Sequence, residues 1–167
     1  MPQDFGEDSP IAPETMEGHN WPCLRQFGVF LENRVGCLHD LMKQLERVDL
    51  KIVALSIVDS VDFAVARIIL DNTDLAREIL TLNGFTMFET DIVGVELPEE
   101  EQPYTRILTA LLRGEINIDY TYPLLYERQG RKAVAIKVEN VDTALATLRA
   151  GGLRVLTEAD LKDLPFE

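Results

Sequence analysis

The sequence has little positive charge. Its 167 residues include 16 Lys and Arg against 29 Asp and Glu, which gives a formal net charge of −13. Proteins that bind phosphate backbones or anionic lipids depend on Lys and Arg to neutralise the phosphates. We therefore expect neither nucleic acid nor a membrane surface to be a partner of this chain.

Cysteines and long apolar runs are also scarce. Cys23 and Cys37 are the two thiols of the sequence, too few for a disulfide framework, and they favour a reducing, cytoplasmic location. No apolar run approaches the ~18 residues that a membrane span needs. The N-terminus has no basic start followed by an apolar stretch, so it predicts no secretory signal. With 46% hydrophobic residues, the composition indicates a packed core.

Residues 1–22 lack any hydrophobic period. They contain four prolines, five acids and no Lys or Arg, a composition that buries too little surface to offset the entropy of ordering. We predict an acidic, extended or poorly ordered arm that Trp21 docks onto the rest of the chain. The alternative, a metal half-site of His19 and Cys23, has too few ligands in view.

From residue 24 onward the pattern predicts regular structure. Alternating apolar residues favour a strand at 24–32, and short apolar segments favour strands at 52–58, 63–70 and 85–89. Apolar residues at helical spacing run from Leu38 to Val48, and a second helix starts at Thr73 and stops at Asn83-Gly84. The predicted order is β-α-β-β-α-β.

The same order recurs about 67 residues later. A shift of 66 places Gly28-Val29 on Gly94-Val95, and a shift of 68 places Gly84-Phe85 on Gly152-Leu153. A repeat of this length is the size of a small ferredoxin-like unit. We predict an α+β fold of two ferredoxin-like βαββαβ modules, 23–90 and 91–167, each an antiparallel sheet with helices on one face. Thr157–Asp160 resembles a capping box that opens a short last helix.

The predicted strands are apolar on both faces. On the third strand Ala64, Ala66 and Ile68 share one face, while Val65 and Ile69 share the other. A sheet that is apolar on both faces is covered twice, so we expect the two modules to pack together and a homodimer to complete the burial. Arg67 then needs an acidic partner or anionic ligand, unless its head reaches water.

The first strand-to-helix loop, 32–38, has features of a ligand site. Gly36 lets the chain turn sharply into a helix whose free backbone N–H groups attract a carboxylate. Asn33 both donates and accepts hydrogen bonds, which suits an α-amino acid. Ordinary turn chemistry is the alternative explanation for this glycine.

The segment FLENRVGCLHDLMKQL, followed by the βαββαβ pattern, resembles the ACT domain, whose first loop typically reads Asn-x-x-Gly-x-Leu. The resemblance extends from Leu24 to about Leu161 and identifies a tandem ACT protein without an attached catalytic domain. It implies a regulatory protein that binds an amino acid at an interface between modules. The ligand contacts it implies are Asn33, Arg34, Val35, Gly36, Cys37 and Leu38, with Asp59 and Asp62 of the hairpin turn as further candidates for the amino group.

The second module departs from this pattern. Its equivalent loop, 98–104, has Gln102 in the place of Gly36 and three carboxylates, Glu99 to Glu101, beside the helix start. These acids either cap the helix or repel a carboxylate, so we predict no carboxylate site here. A metal is the alternative ligand of the three acids. Tyr120 and Tyr122 are predicted to face one way, either lining the inter-module cleft or simply packing.

The predicted function is that of a non-catalytic regulatory module. It would bind a free amino acid at an inter-module interface and signal to a partner enzyme or transporter of amino-acid metabolism, with no cofactor or metal. One alternative is a structural interaction and dimerisation platform without a ligand. The other is a small enzyme or redox switch at Cys37, although His39 lies on a different helix face and is not placed to act as its base.

Overall fold

The computed structural model describes residues 22–162 and 164. The predicted arm therefore lies outside the described residues, apart from Pro22, and so do His19 and Trp21. Along the described residues the chain forms seven strands and five helices, which are β1 (Leu24–Glu32), α1 (Cys37–Glu46), β2 (Ile52–Asp59), β3 (Phe63–Leu70), α2 (Thr73–Leu82), β4 (Met87–Glu96), α3 (Pro103–Arg113), β5 (Ile118–Arg128), β6 (Arg131–Val138), α4 (Val141–Ala150), β7 (Val155–Leu156) and α5 (Glu158–Lys162).

The two predicted ferredoxin-like modules are present, and they share a strand. The predicted fourth strand, 85–89, is the beginning of a single strand β4, and the predicted module boundary at 90/91 falls inside it. Thr90 and Asp91 interrupt the apolar alternation there, but both pair with β1. Beyond them β4 pairs with β6 and β7. The two modules therefore form one antiparallel sheet in the order β2-β3-β1-β4-β6-β5, with β7 beside β4.

The internal repeat is visible in the backbone. Asn72 caps α2 by accepting a hydrogen bond from the Leu75 N–H, and Asn140 caps α4 in the same way. After α1, Asp49 has a φ of 56°, and after α3, Glu115 has a φ of 54°. Both helices thus end in the same left-handed turn, which lets their last backbone carbonyls accept hydrogen bonds.

Helices cover one face of each module. The apolar stripes of α1 and α2 pack on β1 and β3, and those of α3 and α4 pack on β4 and β6. Helix α5 lies elsewhere, because its Leu161 packs into a third core between the modules. This confirms helices on one face of each module and adds a short helix on the other face.

The third core confirms that the modules pack together. The sheet curls so that its edge strands β2 and β5 come close, and the helix-free faces of the modules bury each other. The residues of this inter-module core are Leu24, Val53, Ala54, Ile69, Ile92, Tyr122, Leu124, Tyr126, Ala133, Ala135, Leu156, Leu161 and Leu164.

A polar cluster lies at one side of the inter-module core. Gln26 is fully buried, donates a 2.9 Å hydrogen bond to the Tyr120 hydroxyl and accepts one from the Tyr122 hydroxyl. Burial and the neighbouring Tyr120 raise the pKa of Tyr122. The guanidinium of Arg67 stacks 3.7 Å from the Tyr120 ring centre. The sequence left open an acidic partner, an anionic ligand or water for Arg67, and the structure gives it an aromatic ring. The two tyrosines do line the contact between the modules.

Candidate functional site

The loop between β1 and α1 is built around Gly36. Its φ of +94° is left-handed, a conformation that L side chains rarely adopt. Gly36 is also the residue before the first turn of α1, and its side-chain position offers no cap hydrogen bond. The first N–H groups of this helix therefore face the loop without a side-chain acceptor, and they carry the partial positive charge of the helix dipole.

Arg34 is held by a local ion pair. Its Nε lies 2.8 Å from Glu32 Oε2, and its backbone N–H donates to the Glu32 carbonyl. The hydrogen bond with Glu32 raises the pKa of Arg34. Both side chains are exposed, so this pair is weak and can exchange for another anion.

Asn33 joins the loop to the hairpin turn between β2 and β3. Its Nδ2 lies 3.5 Å from Asp59 Oδ1, and both side chains are exposed. Asp62 is exposed in the same turn and makes no hydrogen bond with the loop in the described part of the chain. The structure thus brings Asp59 to the predicted site and leaves Asp62 outside it.

A shallow cavity of about 220 Å³ opens beside the loop. Its apolar lining residues are Leu31, Phe85 and Phe30, although the Phe30 ring packs against Phe63 and Phe88 on the helix-free side, and Cys37 also lines it. The charged lining residues are Glu32, Arg34 and Asp40. The cavity combines an apolar floor with a helix start and polar side chains, a combination common in small-molecule sites.

The remaining predicted contacts divide between the cavity and the core. Val35 is fully exposed, whereas Cys37 and Leu38 are half-buried against the core of the first module. The backbone N–H of Cys37 donates a 3.4 Å hydrogen bond to the Arg34 carbonyl within the loop. His39 Nδ1 lies 3.9 Å from the Asp40 carboxylate.

The loop lies far from the second module of the same chain. Leu24 and Gln26, near the start of β1, contact the second module, while the loop follows Glu32 at the other end. Six strand residues span about 20 Å. The described second module therefore does not close this site, contrary to the simplest picture of a ligand held between the two modules of one chain.

The equivalent loop of the second module is built differently. Gln102 stands before α3 with a φ of −126°, and Pro103 opens the helix. Glu100 pairs with Arg106 at 2.5 Å, and Glu99 lies 3.8 Å from Arg131. Two of the three acids are thus used in ion pairs, and no group of three or more His, Cys, Asp or Glu in the described residues is arranged to hold a metal.

Sequence reasoning missed the apolar floor of the cavity. Phe30 and Leu31 precede the loop directly, within the segment 24–32 that the sequence predicts only as a strand. Phe85 approaches from the segment before β4, and no pattern in the sequence places it beside α1.

Among the described helices, none is long and apolar enough to cross a membrane.

Comparison with known proteins identifies the family of this chain. A family model described as an ACT domain pair matches residues 23–164. The chain is similar to the solved structure of protein BT0572 from Bacteroides thetaiotaomicron, with 27% identity and a TM-score of 0.77 over 85% of this chain and 97% of that one. It is also similar to the ligand-free regulatory subunit of aspartate kinase from Thermus thermophilus, with 15% identity and a TM-score of 0.54 over 77% and 93% of the two chains, a likeness of fold. No curated protein sequence matches.

Proposed function

The chain belongs to the ACT domain pair family, and on that premise we propose that it is a non-catalytic regulatory protein that binds a free amino acid at the loop 33–38. The observation that carries this proposal is the start of α1, where Gly36 has a φ of +94° and no side chain caps the helix. A helix start of this kind attracts a carboxylate. The resemblance to ACT domains points to the same loop.

Each part of an α-amino acid has a suitable partner here. Its carboxylate would accept hydrogen bonds from the first N–H groups of α1, with the guanidinium of Arg34 exchanging Glu32 for the ligand. Its ammonium group would bind the Asp59 carboxylate, which already accepts a hydrogen bond from Asn33 Nδ2, and the amide oxygen of Asn33. Its side chain would enter the cavity of about 220 Å³, which is small enough to favour a single amino acid over a peptide.

Regulation would act through the relative arrangement of modules. A ligand shifts an equilibrium only by its difference in affinity for the two arrangements. Because the loop lies at the far end of the first module, we infer that a second protein chain completes the interface. The partner that receives the signal would be an enzyme or transporter of amino-acid metabolism in the cytoplasm.

One observation favours the alternative of an interaction platform without a ligand. Phe30, Phe63 and Phe88 expose 39%, 42% and 42% of their surface on the helix-free side of the first module, and apolar groups of this kind mark contact surfaces. A platform predicts no response to any small molecule, so one binding experiment separates the two functions.

The experiment is a thermal-shift screen of the full chain against the twenty amino acids at millimolar concentration. A ligand that binds the native state raises the melting temperature by mass action. We expect one or two amino acids to raise it and the rest to leave it unchanged. A flat screen with a cooperatively unfolding protein would contradict amino-acid binding and favour the platform.

A further inference from the structure

Helix α5 is too short to be stable by itself. It has five residues, Glu158–Lys162, and the strand before it, β7, has two. Isolated helices need about 12–15 residues to form in water. The Thr157 N–H donates a 2.8 Å hydrogen bond to Asp160 Oδ2 and closes the first turn, as in a capping box. Contacts with the rest of the chain therefore decide whether α5 is docked.

Three side chains of α5 contact three different parts of the protein. Glu158 accepts the 2.7 Å hydrogen bond of Thr73, the first residue of α2 in the first module. Asp160 pairs with Arg154 of the second module at 2.9 Å. Leu161 is 2% exposed and packs in the inter-module core. Because one short helix has partners on both modules, a shift of one module by more than about an ångström breaks a hydrogen bond of this set.

Helix α2 connects the α5 contact with the candidate cavity. Its first residue, Thr73, donates to Glu158. Just beyond its other end, the Phe85 N–H donates a 3.0 Å hydrogen bond to the Leu80 carbonyl of α2, and Phe85 lines the cavity beside the loop 33–38. A helix of ten residues spans about 15 Å. The cavity wall and the partner of Glu158 therefore lie at opposite ends of one rigid element.

From these contacts we propose that occupation of the cavity controls the docking of α5 through α2. The described arrangement contains both the cavity and docked α5, so a molecule that fills the cavity in this arrangement favours docked α5. Coupling is reciprocal, and undocking of α5 lowers the affinity of the cavity by the same factor. Undocking also removes Leu161 from the inter-module core and so changes the surface that a partner protein meets. The inference rests on the proposed function for the identity of the occupant, a free amino acid, and it adds the conformational change that binding would cause.

The first test of this coupling needs no amino acid. Hydrogen–deuterium exchange of the full chain, measured by mass spectrometry, reports the opening of α5 through its own amides and global opening through those of α4. We expect Phe85→Ala to raise α5 exchange several-fold with α4 exchange unchanged, because the end of α2 loses the packing that positions it. Phe88→Ala is the matched control, since Phe88 lies on the helix-free side and does not line the cavity. It should leave α5 exchange unchanged.

A second variant tests the α5 contact itself. Thr73→Val keeps the shape of the side chain and removes the hydrogen bond to Glu158, so we expect α5 exchange to rise by roughly tenfold. Thr143→Val is the matched control, because Thr143 is an exposed threonine in the first turn of α4. It should leave α5 exchange unchanged. The same rate in wild type and Thr73→Val would show that this hydrogen bond does not hold α5.

The third measurement repeats the exchange with each of the twenty free amino acids at millimolar concentration. An amino acid that raises the melting temperature should slow α5 exchange more than α4 exchange, and it should bind Thr73→Val more weakly than the wild type. A raised melting temperature with no such slowing would overturn the coupling and leave amino-acid binding intact. A flat thermal-shift screen with faster α5 exchange in Phe85→Ala would refute amino-acid binding and support the coupling. Unchanged α5 exchange in folded Phe85→Ala would overturn the coupling whatever the screen gives.

Discussion

Thr73 Oγ1 donates a 2.7 Å hydrogen bond to Glu158 Oε1, and both side chains are buried. Thr73 is the first residue of α2 in the first module, and Glu158 is the first residue of α5 at the end of the second. The bond therefore joins the two modules outside the shared strand β4. It also places a carboxylate at the start of α2, where the helix dipole favours it.

The first prediction concerns this bond. Thr73→Val keeps the shape of the side chain and removes the donor, so the buried carboxylate loses its partner. We expect the free energy of unfolding to fall by about 1–3 kcal/mol, measured by urea denaturation. Thr73→Ser keeps the hydroxyl and should recover most of the loss. A loss in Thr73→Ser with none in Thr73→Val would show that the methyl group, and not the hydrogen bond, joins α2 to α5.

The second prediction concerns the polar cluster around Gln26. Gln26→Leu leaves the hydroxyls of Tyr120 and Tyr122 without their partner inside the inter-module contact. We expect a loss of about 1–3 kcal/mol in urea denaturation. In the Tyr122→Phe background the same change should cost less, because one of the two hydroxyls is already gone. Strict additivity of the two changes would contradict the cluster.

The third prediction compares two glycines at which an added side chain would meet no other atoms. A Cβ at Gly36 or at Gly130 would meet nothing within 4 Å, and their φ values are +94° and +77°. Gly36→Ala and Gly130→Ala should therefore each cost about 1 kcal/mol from backbone strain alone. Only Gly36→Ala should weaken binding of the amino acid found in the thermal-shift screen. Equal affinity in the two variants would remove the α1 start from the site.

The fourth prediction follows from the ion pair between α2 and β4. Arg77 binds the Glu89 carboxylate through two nitrogens, at 2.6 and 2.9 Å, and this hydrogen bonding lowers the pKa of Glu89. A lowered carboxyl pKa gives stability that is present above the unfolded value of about 4.3 and is lost as the pH falls through the folded pKa.

The measurement is the free energy of unfolding against pH for the wild type and Arg77→Met. Since Glu89 is about a third exposed, we expect a difference of only about 0.5–1 kcal/mol at pH 7. It should shrink below pH 4. A constant difference down to acid pH would mean that the Arg77 stem, and not its charge, stabilises the packing.

Local patterns in the sequence were enough to predict most of the fold. Alternation predicted the bounds of β1, a continuous apolar segment predicted those of β3, and the repeat predicted the two modules. The shared strand escaped prediction because Thr90 and Asp91 read as a break, although pairing with β1 holds them in β4. Pairing between distant segments is a tertiary effect that a local pattern does not contain.

The candidate site was predictable in part. Gly36 and Asn33 stand out in the sequence because each has a backbone or hydrogen-bonding property that few residues share. The choice between Asp59 and Asp62 depends on how the hairpin turn twists, and the sequence treats the two acids alike. The distance of the loop from the second module likewise depends on which end of β1 contacts that module. This contact is a feature of the assembled sheet.

The most direct test of the account is calorimetric titration of the amino acid that stabilises the protein most, into the wild type, Asp59→Asn and Asp62→Asn. Both variants remove one negative charge from the same exposed turn, but only Asp59 contacts Asn33. We expect Asp59→Asn to weaken binding by about tenfold or more, since a charge-assisted hydrogen bond to the ammonium group is lost. Asp62→Asn should bind as the wild type does. Equal affinity in all three proteins would contradict a site at the loop 33–38.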